Sequence, residues 1–397
     1  MPLPTPIPCQ RALFSIPRDV AYFNAAYMGP LTRAAVEAGR RAAEFKATPW
    51  TVSSQDFFTR SDRFRALAAR LINASPADIA IVSSASYGAE TAARNVDCPK
   101  GSRIVLLEDQ FPSNVYPWQR KAAATGAEVF AVPRAAARRQ GAGQDGACDW
   151  TPAILDAIGD ATSVVAIPNL HWTDGSLIDL AAVGEKARRH GAALVLDLSQ
   201  SLGALPFDVA EVRPDFMVSA CYKWLLGPYS LGILYAAPHR QGGEPLEENW
   251  ITRAGSEDFS GLVSYRADYQ PGATRYDMGE RANFHLMPIA EAALEQLLEW
   301  GVPAISETLG ETTRLIADAV APLDFAAPPP ATRAPHFLGV AMPEDMPEDI
   351  SVDLPGRLRG DNVHVSVRGR SIRLTPHLYN DEEDIARLAE SLKRLRG

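Results

Sequence analysis

Ala192-Ala-Leu-Val-Leu-Asp197-Leu-Ser-Gln200 and Asp215-Phe-Met-Val-Ser-Ala-Cys-Tyr222-Lys223-Trp224 are the two stretches on which the fold turns. Each is an apolar run too short for a helix and without polar alternation, as strands buried on both faces of a mostly parallel sheet are. Each ends in an ionisable residue. A carboxylate directly after a buried strand is costly without a partner. A lysine between aromatic residues, just past such a strand, loses its proton more readily than one on the surface. Ligands of open α/β sheets sit at the carboxyl ends of the strands. Asp197 and Lys223, 26 residues and one strand–helix unit apart, are therefore placed to serve one site. The bland alternatives are an Asp197 that caps the next helix and a Lys223 that snorkels to solvent.

Outward from this pair the pattern repeats. Short Val-, Ile- and Leu-rich runs at 79–83, 103–107, 128–132, 163–167 and 231–235 join 193–198 and 216–219 to make seven expected strands. Helical periodicity covers 31–46, 61–72, 113–125, 152–159 and 179–190. Alternation of this kind specifies an α/β domain with a mostly parallel seven-stranded sheet flanked by helices. After about residue 270 the order changes to two long helices (286–300 and 303–319), three strand-like runs (336–341, 363–367, 372–374) and a closing helix (381–395), as in a smaller α+β domain. The expected division is an N-terminal arm at 1–20, proline-rich and extended, a large domain at 21–270 and a small C-terminal domain at 271–397. The segment 134–149, rich in Ala, Gly, Arg and Gln, reads as a solvated loop.

Bulk properties bound the function. With 46% apolar and 22% charged residues among 397, the chain is an ordinary globular protein with material for a large core. A net charge of −9 leaves no basic footprint for nucleic acid or for a membrane surface. No apolar run is long enough to span a bilayer, and the start lacks the basic and apolar regions of a signal peptide. The four cysteines (Cys9, Cys98, Cys148, Cys221) are scattered, with no metal-ligand spacing. That usage predicts a disulfide-free cytoplasmic protein without a metal site.

In combination, D-x-x-Q at Asp197–Gln200 and D-F-x(6)-K at Asp215–Lys223, followed by Gly227-Pro228, resemble the class V aminotransferase group of fold-type I pyridoxal phosphate (PLP) enzymes. That group includes cysteine desulfurases, kynureninases and isopenicillin-N-epimerase-like proteins. The resemblance implies PLP as cofactor, an amino acid or 2-oxo acid as substrate and a homodimer whose active sites lie at the subunit boundary, with the arm crossing to the partner. It implies that Lys223 carries PLP as a Schiff base and moves protons, and that Asp197 pairs with the protonated ring nitrogen, keeping the ring an electron sink. Gln200 would donate to the ring hydroxyl oxygen and Tyr222 would contact the phosphate. Ser83-Ser-Ala-Ser-Tyr-Gly88 falls where the family keeps its phosphate loop, making Ala85 and Ser86 cofactor candidates at a helix N-terminus. Phe111, in Phe-Pro-Ser-Asn114, would stack on the ring. Thr173 and His171, in Asn169-Leu-His-Trp-Thr-Asp-Gly175, would lie near the ring hydroxyl or the substrate. Arg373, in Ser371-Ile-Arg-Leu-Thr-Pro-His-Leu-Tyr-Asn380, matches the arginine that grips the substrate α-carboxylate, as a guanidinium fork suits. The run around Gly279-Glu280 has lost the family's Gly-Thr, and Arg281 or Asn283 is a candidate to replace that contact.

The departures also bear on the reaction. A persulfide-forming desulfurase needs a nucleophilic cysteine ahead of the carboxylate-binding arginine, and no cysteine follows Cys221. Gln200 stands where kynureninases usually carry His. An aminotransferase is therefore the expected activity. A C–S or C–C lyase or an epimerase on the same scaffold is the alternative, and a PLP-binding protein without turnover is the reading from a different class.

Overall fold

The structure, a computed structural model, describes residues 5–138 and 148–396. The expected loop at 134–149 thus lies partly outside the described residues. Its described ends form a short helix, Arg134–Ala137, and a bridge between Arg138 and Cys148.

The seven strands are β1 (Ile79–Val82), β2 (Arg103–Leu107), β3 (Glu128–Val132), β4 (Thr162–Pro168), β5 (Ala193–Asp197), β6 (Phe216–Ala220) and β7 (Gly232–Ala236). They form one sheet in the order β1-β7-β6-β5-β4-β2-β3. Every neighbouring pair is parallel except the two made by β7, which runs antiparallel to both β6 and β1. A tight connection from Lys223 to Leu231 returns the chain beside β6, whereas each parallel step needs a helical crossover. All residues of β1, β5, β6 and β7 are buried, which explains their unbroken apolar runs. One apolar cluster covers each face of the sheet.

This topology gathers the polar strand ends. The carboxyl ends of β1, β2, β4, β5 and β6 and the entry to β7 share one edge, because β7 alone is reversed. Onto that edge fall Ser83, Gln110, Pro168, Asp197, Ala220 and Leu231.

Beyond residue 286, helices Leu286–Trp300 and Val302–Val320 lead to a three-stranded antiparallel sheet of β8 (Leu338–Ala341), β9 (Ser366–Arg368) and β10 (Ser371–Leu374), in the order β9-β10-β8. A third apolar cluster, including Ile316, Leu354, Ile372, Leu388 and Leu392, fills the space between this sheet and its helices. Helix Glu348–Gly360 has no counterpart in the sequence reading. Pro355 and Gly356 interrupt its pattern, and Asp353 breaks its helical geometry.

The N-terminal arm lies on its own chain along its described length. Gln10 N donates to Leu378 O at 2.7 Å, Arg11 reaches Asp384 at 2.8 Å, and the buried Phe14 ring meets Tyr379 edge-on at 5.1 Å. Ala21–Tyr22 then pairs in parallel with Val363–His364, so the start of the chain is sewn into its C-terminal part.

Candidate active site

A cavity of about 380 Å³ opens at the strand ends just described. Its wall includes Ala85, Ser86, Phe111, Asp197, Gln200, Tyr222 and Lys223. Seven residues singled out from four separate stretches of sequence are thus brought together.

Lys223 follows β6 and is 6% exposed. Its Nζ lies 5.2 Å from the centroid of the Phe111 ring and 5.5 Å from that of Tyr222, and meets no hydrogen-bond partner among the described residues. Burial pushes its pKa down to about 8; Asp197 opposes the fall, while Arg373 and Arg368 add to it. The Lys223 backbone is pinned from the other side. Gly29 N donates to Tyr222 O at 2.8 Å, and a β-carbon on Gly29 would lie 2.0 Å from Lys223 O. Only glycine permits that approach.

Asp197 closes β5. Its Oδ1 accepts from Ser199 N at 3.0 Å, and its Oδ2 takes no bond from the described residues. Ser199 Oγ in turn accepts from Ala220 N at 3.1 Å, which ties the Asp197 loop to the strand that carries Lys223. Gln200 is held by its neighbours: Nε2 donates to Ala26 O at 3.2 Å, and Oε1 accepts from Trp224 Nε1 at 3.3 Å. One amide N–H remains for a ligand.

Helix Ala85–Asn95 points its N-terminus into the cavity. Ser84 caps it by accepting from Tyr87 N at 3.1 Å. The backbone N–H groups of Ala85 and Ser86 make no bond within the described protein, so two donors and the positive end of the helix are directed at the cavity.

Arg373, on β10, is 1% exposed. Its guanidinium lies 5.4 Å from the Phe337 ring centroid and 5.8 Å from that of Trp172, with no carboxylate and no hydrogen bond among the described residues. Burial, with Arg368 adding, pushes its pKa down to about 9. The described residues give this arginine no salt bridge.

Arg373, which lies behind Trp172, is not among the residues that line the cavity, nor are the remaining candidates. His171 is wholly buried, stacked on Trp150 at 5.0 Å. Its Nε2 donates to Glu108 O at 3.0 Å, while Nδ1 accepts from Arg134 Nη2 at 2.9 Å and from Thr173 Oγ1 at 2.7 Å. Thr173 Oγ1 also accepts from Arg134, which pairs with Asp174. This network sits behind the wall, because Leu170 and Trp172 take the cavity side and their neighbour faces away. Arg134, read as part of a solvated loop, is its hub. Asn283 does not line the cavity; its Oδ1 accepts from His285 N and Leu286 N and caps helix Leu286–Trp300. The sequence reading passed over Trp172, fixed by its Nε1 bond to Asp109 O at 2.6 Å, and Arg368 on β9. Both sit in short loops or hairpins where only register tells which way a side chain points.

These groups fit a planar, phosphorylated, cationic aromatic aldehyde. They offer an amine whose proton is easily lost, a free carboxylate oxygen, an aromatic face and a phosphate-sized pair of backbone donors. Among the described residues no group of His, Cys, Asp and Glu could hold a metal ion, and no helix is long and apolar enough to cross a membrane.

Comparison with known proteins agrees in outline. A family model described as aminotransferase class-V matches residues 50–388. The chain is 27% identical over 344 residues to "Uncharacterized aminotransferase YcbU" of Bacillus subtilis (strain 168), covering 86% of this chain and 84% of that one. It is 25% identical over 391 residues to the isopenicillin N epimerase of Streptomyces clavuligerus, covering 95% of each. A solved structure of a C-DES mutant with glycine covalently linked to its PLP cofactor superposes with a TM-score of 0.85, at 21% identity and 99% coverage of both chains.

Proposed function

The chain belongs to the class V aminotransferases, a PLP-dependent family, and on that premise we propose that it moves an amino group between an amino acid and a 2-oxo acid. PLP supplies an electron sink conjugated to the substrate nitrogen. Lys223 would hold it covalently, Asp197 Oδ2 would bind its ring nitrogen, Phe111 would cover a ring face, and Ala85 and Ser86 would donate to its phosphate.

The observation that carries the reading is Arg373: a buried cation just behind the cavity wall, against the ring of the wall residue Trp172 and near enough to lower the Lys223 pKa, with no anion of its own among the described residues. An α-carboxylate satisfies it bidentately and fixes the substrate's Cα relative to Lys223. Amino acids and 2-oxo acids both bring that carboxylate, so one arginine serves both halves of the transfer. Lys223 Nζ, as free amine, would take the proton from Cα and hand it to the cofactor's imine carbon on the same face, the shift that transfer of the amino group requires. It is the only basic side chain on the cavity wall among the described residues, which suits proton transfer on a single face.

Persulfide chemistry is not part of this reading. Cys221 is fully buried, burial pushes its thiol pKa up, and no cysteine follows it in the chain. We also read the active assembly as a homodimer, in keeping with the family.

Titrating the purified, PLP-loaded protein with a panel of amino acids, with no keto acid added, tests the proposal. Stoichiometric bleaching of the visible cofactor band, reversed by a 2-oxo acid, is the expected result. A band that recovers unaided while pyruvate, sulfide or an inverted amino acid accumulates replaces transfer with elimination or epimerisation. The absence of any band after PLP addition overturns the site itself.

A further inference from the structure

The strand pair that carries Arg373 presents a second cation to the same place. In the β9–β10 hairpin Ser366 lies opposite Arg373 and Arg368 opposite Ser371, so all four side chains share one face. Ser366 is tied to Asn24, its Oγ 2.6 Å from Asn24 Oδ1. The two arginines converge on the Trp172 ring, Arg368 at 5.2 Å and Arg373 at 5.8 Å from its centroid. Arg368 is half-buried. Its Nη1 donates to Val367 O at 2.7 Å, which leaves the rest of its fork free. Neither arginine has a carboxylate within ion-pair distance among the described residues, although the chain as a whole carries an excess of acidic groups. Both bear on Lys223, whose ammonium each of them disfavours.

Two like charges held over one ring without counter-ions repel each other, and the low dielectric of the cleft magnifies the repulsion. The indole face offsets part of that cost and fixes both planes. A single α-carboxylate neutralises one cation and leaves the other. We propose that Arg368 is a second anion-binding residue of this site, and that the substrate is an amino acid with a further anionic group on its side chain. The inference rests on the reading of Arg373 given above. It adds that the amino acids handled best are acidic ones, gripped at both ends with Trp172 as the shared wall.

Calorimetry on the PLP-loaded protein tests this without turnover, with glutarate and succinate as dicarboxylates and butyrate and propionate as their single-charge counterparts. The expected result is dicarboxylate binding about 10- to 100-fold tighter, the range of one charge-assisted hydrogen-bonded contact. Arg368→Gln should collapse that ratio to near one, whereas Arg373→Gln should weaken both classes. In parallel, kcat/KM for glutamate over glutamine should fall in Arg368→Gln by a similar factor. If the unaltered protein binds glutarate no tighter than butyrate, as it would were a second subunit to neutralise Arg368, the inference is overturned. It also falls if Arg368→Gln weakens both acids equally. The parent reading fails separately: dicarboxylates bind as expected, yet no amino acid alters the cofactor band.

Discussion

Lys223 shows how far one residue's environment sets its chemistry. A surface lysine is almost wholly protonated at pH 7, whereas a pKa of about 8 leaves about a tenth of Lys223 as free amine. The neutral form is the nucleophile, so its fraction should govern cofactor loading. The rate at which PLP develops its visible band with cofactor-free protein should rise with pH and level off above about pH 8. Stopped-flow absorbance reads this directly; a rate still climbing toward pH 10 would mean that burial does not depress the amine. The same shift has a stability consequence of defined sign. The folded pKa lies below the unfolded value near 10.5, so the unfolded chain binds more protons between pH 8 and 10.5, and this group's contribution to stability rises with pH there. Replacing Lys223 with Ala should abolish the band. At this scale Asp197 and Lys223 were legible because each follows an apolar strand directly. His171 and Thr173 were not separable from Trp172 by sequence, since adjacent residues in the loop face opposite ways.

Elements position these residues through close packing. Helix Ala85–Asn95 must lie tight against the sheet for its N-terminus to reach the cavity. Gly88 makes that possible: a β-carbon there would come within 2.5 Å of Val218 Cγ2 on β6, the strand that leads to Lys223. Gly88→Val should force helix and strand apart, with an overpacking cost of about 1–3 kcal/mol. The helix N-terminus moves with it, so PLP affinity, measured by equilibrium dialysis, should fall about tenfold or more. Unchanged affinity would show that the helix does not carry the phosphate contact. The strands were readable because burial on both faces removes polar alternation. Helix Glu348–Gly360 was not readable, because Pro355 and Gly356 mask its period while tertiary packing of Leu354 and Leu358 sustains it.

Across the whole molecule, the two ends of the chain are joined. Arg11 and Arg18, from the arm, both reach Asp384, a fully buried carboxylate near the start of the last helix, and Asn380 supplies a third donor. Burial raises the Asp384 pKa and Arg11 is among the groups that oppose the rise. Arg11→Ala should therefore cost about 1–3 kcal/mol of unfolding free energy, because Arg18 and Asn380 remain. Urea denaturation at neutral pH measures it. Loss of less than about 0.5 kcal/mol would mark the arm as dispensable to the fold. The same end-to-end closure sets the active site, since Asn24 and the loop to Gly29 run between the β9–β10 hairpin and Lys223.

By itself, the sequence determined the layered α/β class and the order of its strands along the chain, and it singled out the residues proposed here to hold the cofactor. Buried strands and the charges at their ends are local properties, written in consecutive residues. Tertiary structure alone decided which side chains share the cavity, because that depends on the reversal of β7, on hairpin register and on contacts between residues hundreds of positions apart. It is what takes His171, Thr173 and Asn283 out of the cavity wall and gives them structural partners. It also brings Arg368 beside Arg373 over Trp172, with no carboxylate near either among the described residues. Which charges go unpaired depends on the folded chain, and no spacing in the sequence records it.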